Sequence, residues 1–159
     1  MGILGVRRRL AVVVGKQPWM PQHLPKVVAV DMRLQKATRG KVSVLDVADL
    51  PNLTLTVAGR KSGIPRSTPL LCVPDGGTWL VAGSYFGAPA MPVWVHNLRA
   101  ASTATVSVKG RRHEVVAEEL EGAAREEAWA TMVRTWPNFT LYAQKTDRVI
   151  PVFRLTPTA

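Results

Sequence analysis

The stretch Ala58-Gly59-Arg60-Lys61-Ser62-Gly63-Ile64-Pro65-Arg66 lies between two apolar runs, residues 53–58 and 68–73, each with the length of a β-strand. Its glycines and its proline favour a turn, so the sequence predicts a hairpin here. Three cations, Arg60, Lys61 and Arg66, fall on this turn. A tight loop that carries Arg and Lys can hold an anion, although an ordinary solvated hairpin tip explains the same residues.

Turn signals and short apolar runs continue along the rest of the chain. Asp75-Gly76-Gly77 predicts a second hairpin and Gly110-Arg111 a third. The expected strands are residues 53–58, 68–73, 79–83, 103–109, 113–120 and 149–155, and the expected helices are residues 93–100, 122–135 and 138–145, the last beginning on an Asn138 cap. This order indicates an α+β fold whose antiparallel sheet closes into a small barrel with a few flanking helices.

Composition narrows the classes of partner. The chain has 159 residues, enough for one domain with a substantial core, and a net charge of +10 at pH 7. Such a charge indicates an anionic partner: a nucleic acid, a membrane surface or a polyanionic small molecule. The one cysteine, Cys72, lies in a predicted strand, where we expect a small buried apolar residue. A single cysteine excludes a disulfide framework and fits a reducing cytoplasm.

The first fifty residues differ from the rest, because they hold nine Lys and Arg residues against three Asp. We therefore expect a basic extension, residues 1–50, followed by a barrel domain, residues 51–159. Pro25 can begin a helix that runs to about residue 37 and gathers its apolar side chains on one face. The apolar positions are Leu24, Val27, Val28 and Leu34, and the cations away from them are Lys26, Arg33 and Lys36. Such a helix either lies on an anionic membrane or packs on the domain with its basic face in water.

Two further segments have the composition of a ligand pocket. The loop Ala82-Gly83-Ser84-Tyr85-Phe86-Gly87 follows a strand, and its small residues allow a flat ring to approach free backbone N–H groups. A plain connection is the alternative. Trp136, Phe139 and Tyr142 recur every third residue and line one face of a helix, either as core or as the wall of a pocket for a planar ligand.

Metal and acid-base chemistry find little support in the sequence. The three histidines, His23, His96 and His113, lie on unlike elements and have no carboxylate or cysteine at a telling spacing. We therefore expect no metal site.

Six motifs occur in an order that identifies a family. They are Gly59-Arg60-Lys61-Ser62-Gly63-x-Pro65-Arg66, Pro69-Leu70, Asp75-Gly76-Gly77, Val81-Ala82-x-Ser84, Pro92-x-Trp94-x-x-Asn97-Leu98 and Thr146-Asp147-Arg148-x-Ile150-Pro151. Over residues 53–152 the chain resembles the deazaflavin-dependent nitroreductases, flavin/deazaflavin oxidoreductases with a split β-barrel fold that use coenzyme F420.

The resemblance implies a cofactor and a site. F420 carries a phosphate and an oligoglutamate tail, and Arg60, Lys61 and Arg66 match the positions that hold it. The other cofactor-binding residues implied by the resemblance are Pro69, Leu71, Ala82, Gly83, Ser84, Tyr85, Trp94 and Asn97. Trp136, Phe139 and Tyr142 stand at the substrate site, and we expect Ser84 or Tyr142 to hydrogen-bond the acceptor.

The acceptor stays open. Members that reduce nitroimidazoles carry tyrosines where this chain has Trp136 and Phe139, which argues against nitro-drug activation and leaves a menaquinone-like quinone. Leu71 and Tyr85 also depart from that subgroup, which has an aromatic residue and a lysine there. Reduction of an activated C=C bond in an enone is the alternative within the family. A basic nucleic-acid-binding barrel is the alternative outside it, but the ordered motifs argue against it.

Overall fold

The computed structural model describes the main chain of residues 3–158 and the side chains of all these residues except 3, 4, 15, 21 and 24. The helices are α1 (Ile3–Gly15), α2 (Met20–Ala37), α3 (Val44–Val47), α4 (Val93–Ala101), α5 (Gly122–Thr135) and α6 (Asn138–Lys145). The strands are β1 (Asn52–Ala58), β2 (Pro65–Leu71), β3 (Val73–Asp75), β4 (Thr78–Ala82), β5 (Thr103–Val108), β6 (Arg111–Glu119) and β7 (Val152–Pro157). A 3-10 turn, Tyr85–Gly87, follows β4.

The strands form one antiparallel sheet in the order β2-β1-β5-β6-β7-β4-β3. Its two edge strands, β2 and β3, are separated in the chain by Cys72 alone. The sheet must therefore curl until its edges meet, which gives the barrel-like form predicted from the hairpins. The Cys72 N–H bonds to the Pro51 carbonyl at 3.0 Å, where the chain passes from one edge strand to the other.

Two clusters of buried side chains stabilise the barrel. One fills its interior and includes α4: Leu53, Leu55, Val57, Cys72, Val81, Trp94, Val95, Leu98, Ala104, Val106, Val115, Phe153 and Leu155. The other joins α5 and α6 to the sheet: Leu50, Val73, Leu80, Leu120, Ala128, Met132, Trp136, Phe139, Tyr142, Ile150 and Val152. The second cluster contains the aromatic triplet, which is therefore part of the core.

The amino-terminal helices differ from the prediction. The helix expected from Pro25 begins at Met20, and Pro25 lies inside it, where a proline removes one main-chain hydrogen bond without ending the helix. A separate helix, α1, precedes it, and the break between the two helices falls at residues 16–19, which include Pro18. A buried network fixes α2: the Asp31 carboxylate accepts from Val44 N–H at 2.6 Å and from Gln35 at 2.8 Å. Gln35 in turn accepts from the Thr54 hydroxyl of β1.

Several helices and strands also begin at residues other than those predicted. β2 begins at Pro65, three residues before the predicted strand, because the basic loop is tight enough for pairing to start at its base. β7 begins at Val152 rather than residue 149. The residue before α6 is Pro137, and Asn138 is the first helical residue, so the predicted Asn138 cap is wrong. The Asn138 side chain instead donates a hydrogen bond to the Val12 carbonyl of α1.

Candidate active site

The basic loop forms one wall of a pocket of about 440 Å³. Within the loop, Gly59 donates to the Ile64 carbonyl at 2.9 Å and Gly63 donates back to Gly59 at 2.7 Å. Gly63 has φ of +71°, which favours glycine. The pocket is lined by Gly59, Arg60, Lys61, Ser62, Arg66, Ser67, Thr68, Val93, Trp94 and Asn97. The three predicted cations and the predicted α4 residues thus share a single pocket.

Asn97 ties the loop to α4. This buried side chain accepts a 3.0 Å hydrogen bond at Oδ1 from the main-chain N–H of Arg60. The side chains of Arg60, Lys61 and Arg66 are exposed, and no carboxylate pairs with them among residues 3–158. The pocket therefore presents positive charge that the described part of the chain does not neutralise, as a site for an anion requires.

A second, mainly apolar cavity of about 680 Å³ adjoins this pocket, and Thr68, Val93 and Trp94 line both. From the barrel side it is lined by residues of β2, β4, the 3-10 turn and the start of α4. They are Thr68, Pro69, Leu70, Leu71, Ala82, Ser84, Tyr85, Phe86, Ala90, Met91, Pro92, Val93 and Trp94. The arrangement suits a ligand with an anionic end in one pocket and a flat apolar end in the other.

The amino-terminal helices complete this cavity on the opposite side. α1 contributes Ala11 and Val14, and α2 contributes Val27, Val28 and the buried Asp31. Val27 and Val28 of the predicted apolar face of α2 therefore face this cavity, while the cations Lys26, Arg33 and Lys36 are exposed. The Leu24 side chain of that face lies outside the described residues. Sequence reasoning missed the role of these helices in the cavity.

The aromatic triplet closes the inner end of the cavity. Trp136, Phe139 and Tyr142 all line it and are all buried. The Trp136 indole donates to the Tyr142 hydroxyl at 3.3 Å, and the Tyr142 ring contacts Phe86 and Phe139 edge-on. Burial raises the pKa of Tyr142 above its usual value, so its hydroxyl stays protonated at neutral pH. The triplet is therefore core, and it also lines the cavity; its contact with a ligand stays a prediction.

Close packing at two glycines, Gly83 and Gly87, fixes the loop that follows β4. A Cβ atom at Gly83 would lie 2.7 Å from Val95 and 2.9 Å from Pro151, so only glycine fits there. At Gly87, with φ of +78°, a Cβ would lie 2.7 Å from the Tyr142 carbonyl. Gly83 therefore packs against Val95 and Pro151 and does not line the cavity, whereas Ser84 and Tyr85 do.

Arg148 reaches the same loop from the residues before β7. Its guanidinium donates to the carbonyls of Gly83 (2.9 Å), Ser84 (2.9 Å) and Ala88 (3.0 Å). Burial lowers the pKa of Arg148. Sequence reasoning included Arg148 in a motif and gave it no role.

A model of the F420H(2)-dependent quinone reductase family matches residues 28–157. The chain belongs to this family. It is 29% identical over 142 residues to an F420H(2)-dependent quinone reductase of Mycobacterium tuberculosis, covering 87% of this chain and 95% of that protein. The solved F420-H2 dependent reductase FDR-A is 37% identical, with a TM-score of 0.62, over 66% of this chain and 93% of that one. The heme storage protein HutZ of Vibrio cholerae, at 15% identity and a TM-score of 0.55, shares the fold alone.

Family membership confirms the resemblance, the split-barrel fold, the enzyme class and the dependence on F420H2 that the motifs implied. It also places residues 1–27, and with them all of α1, outside the part that the family model matches. Among the residues that the structure describes, no three His, Cys, Asp or Glu side chains group as a metal site would require. Within those same residues, no helix combines the length and apolar character needed to cross a membrane.

Proposed function

We propose that this F420H2-dependent enzyme reduces a menaquinone-like quinone by accepting the coenzyme across both pockets and the quinone in the apolar one. The observation that carries the proposal is the junction at Thr68, Val93 and Trp94, where a pocket with three exposed cations adjoins an apolar cavity. The residues fit the coenzyme, because one end of F420 is polyanionic and the other is a flat ring.

Each set of residues has a distinct task in this proposal. Arg60, Lys61 and Arg66 bind the phosphate and the acidic tail, and Asn97 holds the loop in place. Pro69, Leu71, Ala82, Tyr85 and Trp94 enclose the ring in the cavity. When bound, the reduced deazaflavin supplies a hydride, so the protein contributes binding, orientation and the exclusion of water.

The acceptor would lie between the ring and the aromatic triplet. There the Tyr142 hydroxyl, kept protonated by burial, can donate to a quinone oxygen that gains negative charge, and Ser84 offers a second hydroxyl at the same cavity. α1 and α2 cover the cavity and keep water from the reacting atoms. The apolar lining favours a hydrophobic quinone over a small polar enone, which would fill little of it.

Titration and turnover together test the proposal. Quenching of cofactor fluorescence on adding protein measures the affinity for F420, with FMN and NADPH as controls. Oxidation of F420H2 by menadione, by a prenylated menaquinone in detergent and by cyclohexenone is then compared. We expect binding of F420 alone and the highest kcat/KM for a naphthoquinone. A higher kcat/KM for cyclohexenone would show that the acceptor is an enone and not a quinone, and failure to bind F420 would refute the proposal.

We also propose that residues 1–50 bring the enzyme to an anionic membrane, at the inner face where quinones lie. α1 exposes Val6, Leu10 and Val13 on the side away from the cavity, and Trp19 follows between the helices. Exposed cations flank them: Arg7, Arg9, Lys16 and Lys26. An apolar stripe with basic borders is the pattern of a helix that lies in a bilayer interface.

Charge substitution tests this better than truncation, because removing residues 1–40 also removes one wall of the cavity. The double variant Leu10→Glu/Val13→Glu keeps α1 while placing charge on its exposed face. Its co-sedimentation with vesicles containing phosphatidylglycerol should fall strongly, whereas turnover of soluble menadione should change little. Equal sedimentation of the variant and the unmodified protein would refute membrane binding through this face.

A further inference from the structure

Arg148 is a partly buried cation with no carboxylate partner among residues 3–158. All of its strong hydrogen bonds go to main-chain oxygens of one loop, and Nη1 also approaches the Met91 sulfur at 3.6 Å. A guanidinium that bridges three carbonyls fixes their relative orientation, because its donors form a rigid planar fork.

The loop that Arg148 holds has a strained backbone. Tyr85 and Phe86 both have positive φ, 45° and 55°, in the left-handed region that non-glycine residues avoid. The turn's own main-chain bonds are Gly87 N–H to Ser84 and Ala88 N–H to Tyr85. Contacts from outside the loop must therefore help to hold the strained residues in place, and Arg148 makes three of them.

The peptide geometry then determines where the neighbouring donors point. In a trans peptide the carbonyl and the N–H point in opposite directions. With the Gly83 and Ser84 carbonyls on the guanidinium, the N–H groups of Ser84 and Tyr85 are directed away from it. Neither N–H has a hydrogen-bond partner in the described part of the chain, and both residues line the apolar cavity.

We propose that Arg148 is a positioning residue: it turns two peptide planes so that the N–H groups of Ser84 and Tyr85 face the cavity and bind the polar edge of the cofactor ring. The inference rests on the proposed placement of the deazaflavin in this cavity. Arg148 itself touches neither cofactor nor acceptor.

Two substitutions at Arg148 test the fork. Arg148→Met keeps the volume and removes all donors, and Arg148→Lys keeps the charge but cannot bridge three carbonyls. We expect both to weaken F420 binding about tenfold or more, and we expect the absorption band of bound F420 to move toward its free position. Arg154→Met is the matched control, because Arg154 on β7 pairs with Asp75 away from the cavity and should leave affinity and spectrum unchanged.

A third substitution isolates the donor itself. Ser84 has φ of −73°, which proline adopts, so Ser84→Pro deletes the N–H with little change of backbone. Ser84→Ala is its reference, because it removes the hydroxyl and keeps the N–H. Ser84→Pro should bind F420 about tenfold more weakly than Ser84→Ala, and this comparison remains if the Arg148 variants fail to fold.

The outcomes separate the two levels of the proposal. If the unmodified protein does not bind F420, the proposed cofactor placement fails. If it binds, and folded Arg148→Met binds with the same affinity and spectrum, the positioning role fails. Full rescue by Arg148→Lys would also overturn it, since charge alone would then suffice.

Discussion

Asn138 donates a 2.7 Å hydrogen bond from Nδ2 to the main-chain carbonyl of Val12, joining two residues 126 positions apart. Asn138 is fully buried at the start of α6, beside the aromatic triplet. A second bond, from Arg8 to the carbonyl of Thr135, joins the same two regions one turn earlier on α1. Through these bonds α1 is fixed over the cavity.

We predict that Asn138→Ala loosens α1. Loss of a buried side-chain bond to the main chain costs roughly 1–3 kcal/mol, and this cost falls on the docking of α1. Tryptic cleavage at Arg7, Arg9 and Lys16 should accelerate severalfold, and the KM for the acceptor should rise while the affinity for F420 is kept. Thr140→Ala, at an exposed position of the same helix, is the control. An unchanged cleavage rate would show that the bond does not hold the helix.

The inner face of α1 should control the size of the acceptor. Ala11 lines the cavity, whereas Val13, two residues on, is 54% exposed. Ala11→Phe should raise the KM for menadione severalfold by filling the cavity, with F420 affinity unchanged. Val13→Phe adds an aromatic ring to the same helix on the outer face and should leave both constants as they are in lipid-free buffer. Similar effects of the two substitutions would contradict the placement of α1.

The sequence predicted the barrel because its signals are local. Turn residues such as Asp75-Gly76-Gly77 act on their immediate neighbours, and the strands between them follow from short apolar runs. The basic pocket was predictable as well, since Arg60, Lys61 and Arg66 lie on one loop. The bond from Asn138 to Val12 and those from Arg148 to the loop after β4 join residues that are distant in the sequence. No periodic pattern in the sequence predicts such bonds. The cavity wall formed by α1 and α2 was missed for this reason.

Cofactor affinity should depend on the basic loop more than turnover does. Lys61 is exposed and has no acidic partner among the described residues, so its removal costs an ion pair with the cofactor and little folding stability. We predict that Lys61→Ala raises the Kd for F420 about three- to tenfold, as expected for an exposed charge, and leaves the kcat at saturation nearly unchanged.

Salt provides the check on that interpretation. Raising the NaCl concentration should weaken F420 binding to the unmodified protein more than binding to the Lys61→Ala variant, because screening acts on the contact that the variant lacks. Arg112→Ala, which removes an exposed cation of β6 outside both pockets, should bind like the unmodified protein. A kcat that falls in parallel with affinity would instead place Lys61 in the chemical step.

Tyr142→Phe tests the proposed donor to the acceptor. The substitution removes the hydroxyl and leaves the buried Trp136 indole without this acceptor, which should cost roughly 1–3 kcal/mol of stability. If the hydroxyl donates to the quinone oxygen, kcat should fall severalfold with F420 affinity kept. Because burial raises the pKa of Tyr142 above its usual value, this donor should stay protonated throughout the neutral pH range. Unchanged kinetics in a folded variant would remove Tyr142 from the mechanism.

Cys72, where the chain passes between the two edges of the sheet, should be inert in the folded protein. It is 1% exposed, and burial raises the pKa of its thiol from 9.0 to about 12. Ellman's reagent at pH 8 should therefore fail to react with the native protein and should titrate one thiol in guanidinium chloride. Rapid reaction of the native protein with Ellman's reagent would mean that the sheet opens at Cys72, between its two edge strands.

The same shift predicts a dependence of stability on pH. Below about pH 9 the thiol is protonated in both states, and the full contribution of Cys72 to stability is present. As pH rises toward 12 the unfolded chain loses this proton and the folded chain keeps it, so the free energy of unfolding should fall by up to about 1.4 kcal/mol per pH unit. Chemical denaturation between about pH 8.5 and about pH 10.5 measures how the free energy of unfolding of the protein and of Cys72→Ala changes with pH. The free energy should fall more steeply for the unmodified protein, and equal slopes for the two would show that the thiol does not ionise differently in the folded and unfolded states.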